Sequence, residues 1–234
     1  DRAEVELLRG SLDDALRHFG DSLAIRQQVY SSAERVDGQP ASNLLHFKIA
    51  ESMCGCAEIY KLRGEYTKAM GQYEMAMALV EQVMSIRTVQ LGDEHVACAS
   101  CYMLVADILR MQGKFLEAKK VLEQCMVIRR AKLGKLHPDT ALTLLAVGSN
   151  FYDLAKYDAA KPVFDRATHL LKLSFNADSH WMVAEAYTCT GENYRQLGEF
   201  GQAKLLHEKA LMLRRKIFAD NHRSIADSVY PLAM

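Results

Sequence analysis

A histidine recurs in this chain at an almost fixed interval: His95, His137, His180 and His222 stand forty-two or forty-three positions apart. A short turn follows each of the first three at a constant distance of eighteen positions, at Gly113-Lys114-Phe115, Ala155-Lys156-Tyr157 and Gly198-Glu199-Phe200. Counting back by the same distance from Gly64 reaches His46, which opens a further unit, and Gly10 marks the turn of a still earlier one. A period of this length fixes much of the fold. Each copy is one supersecondary element that cannot bury its apolar face alone, so neighbouring copies must stack.

Inside each unit the spacing is helical. The first half repeats apolar or small residues at intervals of three and one, as in Tyr102, Val105, Ala106 and Leu109, or Leu144, Val147, Gly148 and Phe151, which gathers them on one helical face. The second half carries a small residue and a bulky one four later: Ala15/Phe19, Ala69/Tyr73, Ala118/Leu122, Ala160/Phe164 and, less typically, Ala203/His207. Small residues let two helices approach, and the bulky ones fill the groove beyond. The pattern matches the tetratricopeptide signature and predicts an all-α solenoid, a right-handed superhelix of antiparallel helix pairs. The units fall at 1–40 (partial, mainly second helix), 41–90, 91–132, 133–174, 175–217 and 218–234 (partial, first helix). Gly64 to His95 is seven residues longer than Gly113 to His137, close to two helical turns, so the second helix of unit 41–90 lengthens without rotating its buried face. The stretch SSAERVDGQPASN, ahead of Leu44, reads as a loop. Neither end reads as a polar cap, so the expectation is a piece of a longer array. Pro231 would kink the last helix, and nothing in the sequence explains it.

Composition excludes several functions. Among 234 residues, 29 basic side chains balance 29 acidic ones with no long run of either sign, which gives no support to nucleic-acid or anionic-membrane binding. No apolar stretch reaches the ~18 residues of a membrane span. The six cysteines lie in or beside apolar helical runs, as in a reduced cytoplasmic protein.

The loop Leu133-Gly134-Lys135-Leu136-His137-Pro138-Asp139 and the second helices ending in Ile25-Arg26, Ile86-Arg87 and Ile128-Arg129 resemble the kinesin light chain family. The resemblance covers residues 10–234 and is tightest over 91–217. It implies a non-enzymatic adaptor or scaffold for a protein or peptide ligand. Motor, cytoskeletal or ciliary proteins are among the implied partners, and an architectural subunit of a ciliary or cytoskeletal assembly is the alternative. The family's paired asparagines, which hold a peptide backbone, are replaced here by Cys54-Gly55, Met103-Leu104, Leu145-Ala146 and Thr188-Cys189, none of which offers two amides. A ligand other than the family's tryptophan-acidic peptide is therefore expected.

Carried over by register, the concave face of the first helices takes Glu58, Lys61, Met103, Asp107, Arg110, Met111, Leu142, Leu145, Tyr152, Glu192 and Arg195. Met103, Met111, Leu142 and Leu145 give it an apolar middle, where an unused face would be polar. Glu58/Lys61, Asp107/Arg110 and Glu192/Arg195 set acid-base pairs around it. Glutamate at Met103 and Leu145 is expected to weaken partner capture without unfolding the chain. The periodic histidines sit at loop-to-helix junctions, strung a repeat apart, and read as structural. Cys98-Ala99-Ser100-Cys101 is a lone CxxC, short of the four ligands of a zinc site. Trp181 reads as a staple on its helix start, with an exposed anchor as the alternative. Glycine-rich phosphate loops, HExxH and GxSxG are missing from the sequence, so no enzyme, cofactor or metal is expected.

Overall fold

The computed structural model describes residues 12–37, 43–175 and 180–217. Among the described residues there are nine helices and no strand: α1 (Leu12–Asp37), α2 (Asn43–Leu62), α3 (Tyr66–Leu91), α4 (Val96–Met111), α5 (Phe115–Lys132), α6 (Pro138–Asp153), α7 (Tyr157–Ser174), α8 (Trp181–Gln196) and α9 (Phe200–Ile217). They fall into two compact units, residues 1–112 and 113–234, divided at the turn after α4. In the first unit α1 packs on α2, α2 on α3 and α3 on α4, and α2 also touches α4. In the second, α5 packs on α6, α6 on α7, α7 on α8 and α8 on α9, and α6 also touches α8. Residues 218–234, with His222 and Pro231, lie outside the described residues.

The helix starts explain three of the periodic histidines, whereas His46, expected at a junction as well, falls inside α2, which already begins at Asn43. His95, His137 and His180 each hold extended backbone and accept a hydrogen bond at Nδ1 from the amide two residues on, Ala97 (3.1 Å), Asp139 (3.1 Å) and Met182 (3.2 Å). Each ring is an N-cap satisfying a donor the helix leaves orphaned. Pro138 takes the first helical position after His137, where its missing N–H costs nothing.

The first helices end at a left-handed residue followed by a six-to-one backbone bond: Glu65 to Tyr60 (2.8 Å), Lys156 to Phe151 (2.9 Å) and Glu199 to Tyr194 (2.9 Å). Gly64, Gly113 and Gly198 all adopt φ 76° there, while Ala155 must hold φ 55° with a Cβ in place.

The small-to-bulky pairs pack as the sequence predicts. Ala15, Ala69, Ala118, Ala160 and Ala203 are buried, as are Phe19, Tyr73, Leu122, Phe164 and His207. A Cβ built on Gly148 would stand 2.7 Å from the Phe164 ring, and one on Gly191 would stand 3.0 Å from His207 Nε2. These glycines are packing positions.

A repeated joint fastens each second helix to the next first helix. Arg26 donates to the Lys48 carbonyl (2.7 Å) and to the Ser52 hydroxyl. Arg87 donates to the Ala97 carbonyl (2.7 Å) and Cys101 Sγ (3.2 Å). Arg129 donates to the Asp139 carbonyl (2.9 Å) and the Thr143 hydroxyl (3.0 Å). All three arginines hold one register, and their acceptors hold another. At the fourth joint both partners change together, to buried Leu171 and Ala186. A charged donor in an apolar setting needs acceptors, and a leucine needs a small apolar neighbour. The second unit adds a further tie: the buried amides of Asn150 and Asn193 donate to the carbonyls of Phe115 and Tyr157, both at 3.1 Å.

One element departs from expectation. Residues 31–37, read as part of a loop, continue α1 to Asp37. Ser-Ser-Ala-Glu-Arg-Val-Asp contains no glycine or proline, so nothing stops the helix before Gly38.

Candidate protein-interaction face

The predicted face lies on the first helices, and each compact unit presents its own portion. In the first unit, α4 carries Met103, Asp107, Arg110 and Met111. Both methionines are half-buried, and Arg110 approaches Asp107 at 3.6 Å, its own side chain 15% exposed against 50% for the aspartate. The side chains of Glu58 and Lys61 lie outside the described residues.

In the second unit, α6 and α8 bring Tyr152, Glu192 and Arg195 together. The Tyr152 hydroxyl donates to Glu192 Oε1 (3.3 Å) and accepts from Gln196 Nε2 (3.1 Å). Arg195 Nε lies 3.1 Å from both Glu192 carboxylate oxygens, and its terminal nitrogen also donates to that carboxylate. The Arg195 bonds hold the Glu192 carboxyl below the usual carboxylate range against the opposing effect of burial, while burial pushes the Tyr152 phenol up. Tyr157 closes edge-on against Tyr152, with ring centroids 5.3 Å apart.

Leu142 and Leu145 are half-buried and pack against a core cluster that includes Val183, Ala184 and Tyr187. Packing therefore accounts for part of their apolar character. A glutamate at Leu145 would strain the fold as well as the surface, so the expected separation of capture from folding fails at that position.

Behind the polar cluster sits His207, the least typical bulky residue of the second helices. It is buried, neither ring nitrogen has a hydrogen-bond partner, and Nε2 stands 4.0 Å from Glu192 Oε2. Burial pulls its imidazole below the ordinary histidine range, with Glu192 opposing and Arg195 and Arg214 assisting.

The other candidates have structural duties. Buried Cys98 donates to the Gly92 carbonyl at 3.4 Å, and buried Cys101 receives the Arg87 bond. Burial raises the Cys101 thiol, which disfavours the reactive thiolate. Among the described residues no group of three or more His, Cys, Asp or Glu side chains gathers as a metal site would need, and no described helix is long and apolar enough to cross a membrane. Trp181 is 51% exposed, with its ring 6.3 Å from the His180 ring and nearly parallel to it, while Phe175 stacks more closely on His180 at 3.7 Å.

The face presents a fixed array of donors and acceptors beside half-buried apolar side chains. Gln196, next to Arg195, belongs to that array as well. His207 was legible only as an odd filler.

Profiles of the tetratricopeptide repeat match residues 57–131 and 103–172, and 183–224. A comparison with curated protein sequences gives no match. Among solved structures, the chain is similar to BtubC (BKLC) from P. vanneervenii, with TM-score 0.60 and 16% identity over 94% of this chain and 81% of that one. It is also similar to kinesin light chain-like, nearly identical TPR-like repeats of Podosopora anserina, with TM-score 0.50 and 20% identity over 92% of each chain. The Rap protein complexed with competence and sporulation factor matches at TM-score 0.59 and 14% identity, over 98% of this chain and 70% of that one. These likenesses show a shared solenoid fold of stacked helix pairs. The chain belongs to the tetratricopeptide-repeat family.

Proposed function

We propose that this protein is a non-enzymatic adaptor that holds a peptide or helix of a partner against its first helices. The observation that carries the reading is the Tyr152–Glu192–Arg195–Gln196 cluster, which spans two neighbouring first helices and is already hydrogen-bonded. Prearranged side chains surrender little entropy when a ligand arrives, so their contacts convert efficiently into affinity. Glu192 and Arg195 stay 30% and 34% exposed, open enough to meet a partner. The Rap protein's complex with a factor supports ligand capture by this kind of stack. Met103, Asp107, Arg110 and Met111 of α4, with Glu58 and Lys61, make up the first unit's own portion of the proposed face.

A second reading rests on a different observation. Among the described residues, the large exposed apolar side chains stand on second helices or at helix starts and turns, including Met75, Leu116, Val127, Leu173, Leu205 and Met212. That distribution favours an architectural subunit of a cytoskeletal or ciliary assembly, gripped through its second helices.

A photoreactive amino acid placed singly at Gln196 or Val127 in the native host separates the two. Adducts with one partner polypeptide at position 196 support the adaptor reading. Adducts confined to position 127 overturn it in favour of the architectural one.

A further inference from the structure

The balanced charge of the chain hides an uneven distribution. Residues 1–112 carry 11 basic against 16 acidic side chains, and residues 113–234 carry 18 against 13. The excess positive charge of the second unit has a structural address. Arg130 on α5, Lys172 on α7 and Arg215 on α9 each stand twelve positions after the alanine that recurs in register on their helix: Ala118, Ala160 and Ala203. All three are exposed, in the last turns of their helices, and none has a carboxylate partner among the described residues. Their neighbours Arg129 and Arg214, one residue earlier, are buried and bonded, to Asp139 and Thr143 and to Glu185. The buried arginines hold the fold together; the exposed row has no such duty. The same register holds uncharged Gln27 in α1, and Thr88 in α3 once its seven extra residues are counted.

One turn before each cation, on the same face, stands an exposed residue: Val127 (68% exposed) beside Arg130, His169 beside Lys172 and Met212 (51%) beside Arg215. Leu173 adds a further exposed apolar side chain (66%). Glu208 shares a shallow depression with Leu211, Met212, Arg215 and Lys216, and Glu123 and Asp165 hold the same register on α5 and α7, so an acidic segment must seat on the last turns, beyond these carboxylates. Cations at helix C-termini are favourable in themselves, which explains one or two of them without explaining the exposed apolar side chains Val127, Leu173 and Met212 beside them.

We propose that this edge of the second unit docks an acidic polypeptide segment whose carboxylates are interleaved with aliphatic side chains. The carboxylates would meet the Arg130–Lys172–Arg215 row, and the aliphatic groups would cover Val127, Leu173 and Met212. Nucleic acid fits less well, because its phosphates would leave Val127, Leu173 and Met212 uncovered and His169 alone would face its bases. This surface is separate from the first-helix face and does not depend on it.

The test is fluorescence anisotropy of the full chain with a short labelled peptide of glutamate, aspartate and interspersed leucine. A lysine-for-acid version of that peptide, a single-stranded oligonucleotide and phosphatidylserine vesicles serve as competing probes. The triple variant Arg130→Gln, Lys172→Gln, Arg215→Gln is expected to weaken acidic-peptide binding about tenfold, with an unchanged circular-dichroism melt, and salt is expected to weaken the wild type. A control variant removes equal charge at the opposite ends of the second helices: Lys119→Gln, Lys156→Gln, Lys204→Gln. It is expected to bind like wild type. Equal loss in both variants, tighter binding of the oligonucleotide or the vesicles, or no binding of the acidic peptide would each overturn the proposal.

Discussion

The arginine joints make a demanding prediction because the chain supplies its own control. Arg129 is 7% exposed, its terminal nitrogen serves the Asp139 carbonyl and the Thr143 hydroxyl, and its Nε is buried with no partner. Two bonds from a charged donor contribute about 3–6 kcal/mol together, and burying an unsatisfied Nε costs about 1–3 kcal/mol. Removing the side chain as Arg129→Ala should therefore cost about 2–3 kcal/mol. Arg129→Leu should cost less, about 1–2 kcal/mol, because the leucine regains apolar burial. Thr143→Ala alone strands one of the arginine's bonds and should cost about 1–2 kcal/mol. The double variant Arg129→Leu, Thr143→Ala reproduces the Leu171/Ala186 joint, where both residues are buried in an apolar cluster. It should return to within about 1 kcal/mol of wild type, giving a coupling of about 1–4 kcal/mol in a double-mutant cycle. Urea unfolding followed by circular dichroism measures all four proteins. Costs that add within about 0.5 kcal/mol would show that the two positions act independently, and the joint would lose its physical basis.

Ala155 holds a left-handed backbone at the position glycine fills in three other turns, so Ala155→Gly should raise stability by about 0.5–1 kcal/mol in the same urea assay. A methyl at Gly148 meets the Phe164 ring, so Gly148→Ala should destabilise by about 1–3 kcal/mol, and a second change, Phe164→Leu, should recover part of it. The imidazole of His207 is held below its unfolded range of about 6.5, so the unfolded chain takes up the proton first and stability falls as pH drops below that value. The loss should approach about 1.4 kcal/mol per pH unit while the folded ring stays neutral. His207→Phe, matching buried Phe164 at the same register, should flatten this dependence between about pH 7.5 and 5.5, a window above the range in which Glu192 titrates. An unchanged slope would remove the burial argument.

The reading of the sequence succeeded where one helix carries the whole signal. The histidine spacing located the helix starts at His95, His137 and His180, because an N-cap acts on an amide two residues away, but it missed at His46, which lies inside α2. Ala118/Leu122 and its counterparts were legible for the same reason: both residues share a turn. The signal weakened where partners lie on different helices. Leu142 and Leu145 read as a surface row, but the neighbouring helix half-covers them. The Ile-Arg ends stood only as a family mark, although arginine recurs with Ser52, Cys101 or Thr143 and leucine with Ala186, a correlation already written in the chain. The polar cluster was found as a list of positions, and only the packing of α6 against α8 showed that Tyr152 reaches Glu192 across a repeat.

The proposed partner face is tested most directly by hydrogen–deuterium exchange on the full chain, free and bound to whichever polypeptide the photoreactive residue captures. Slowed exchange in peptides covering 142–153 and 185–196 is the predicted result. Slowing restricted to the second helices, with those two segments unaltered, would contradict the assignment.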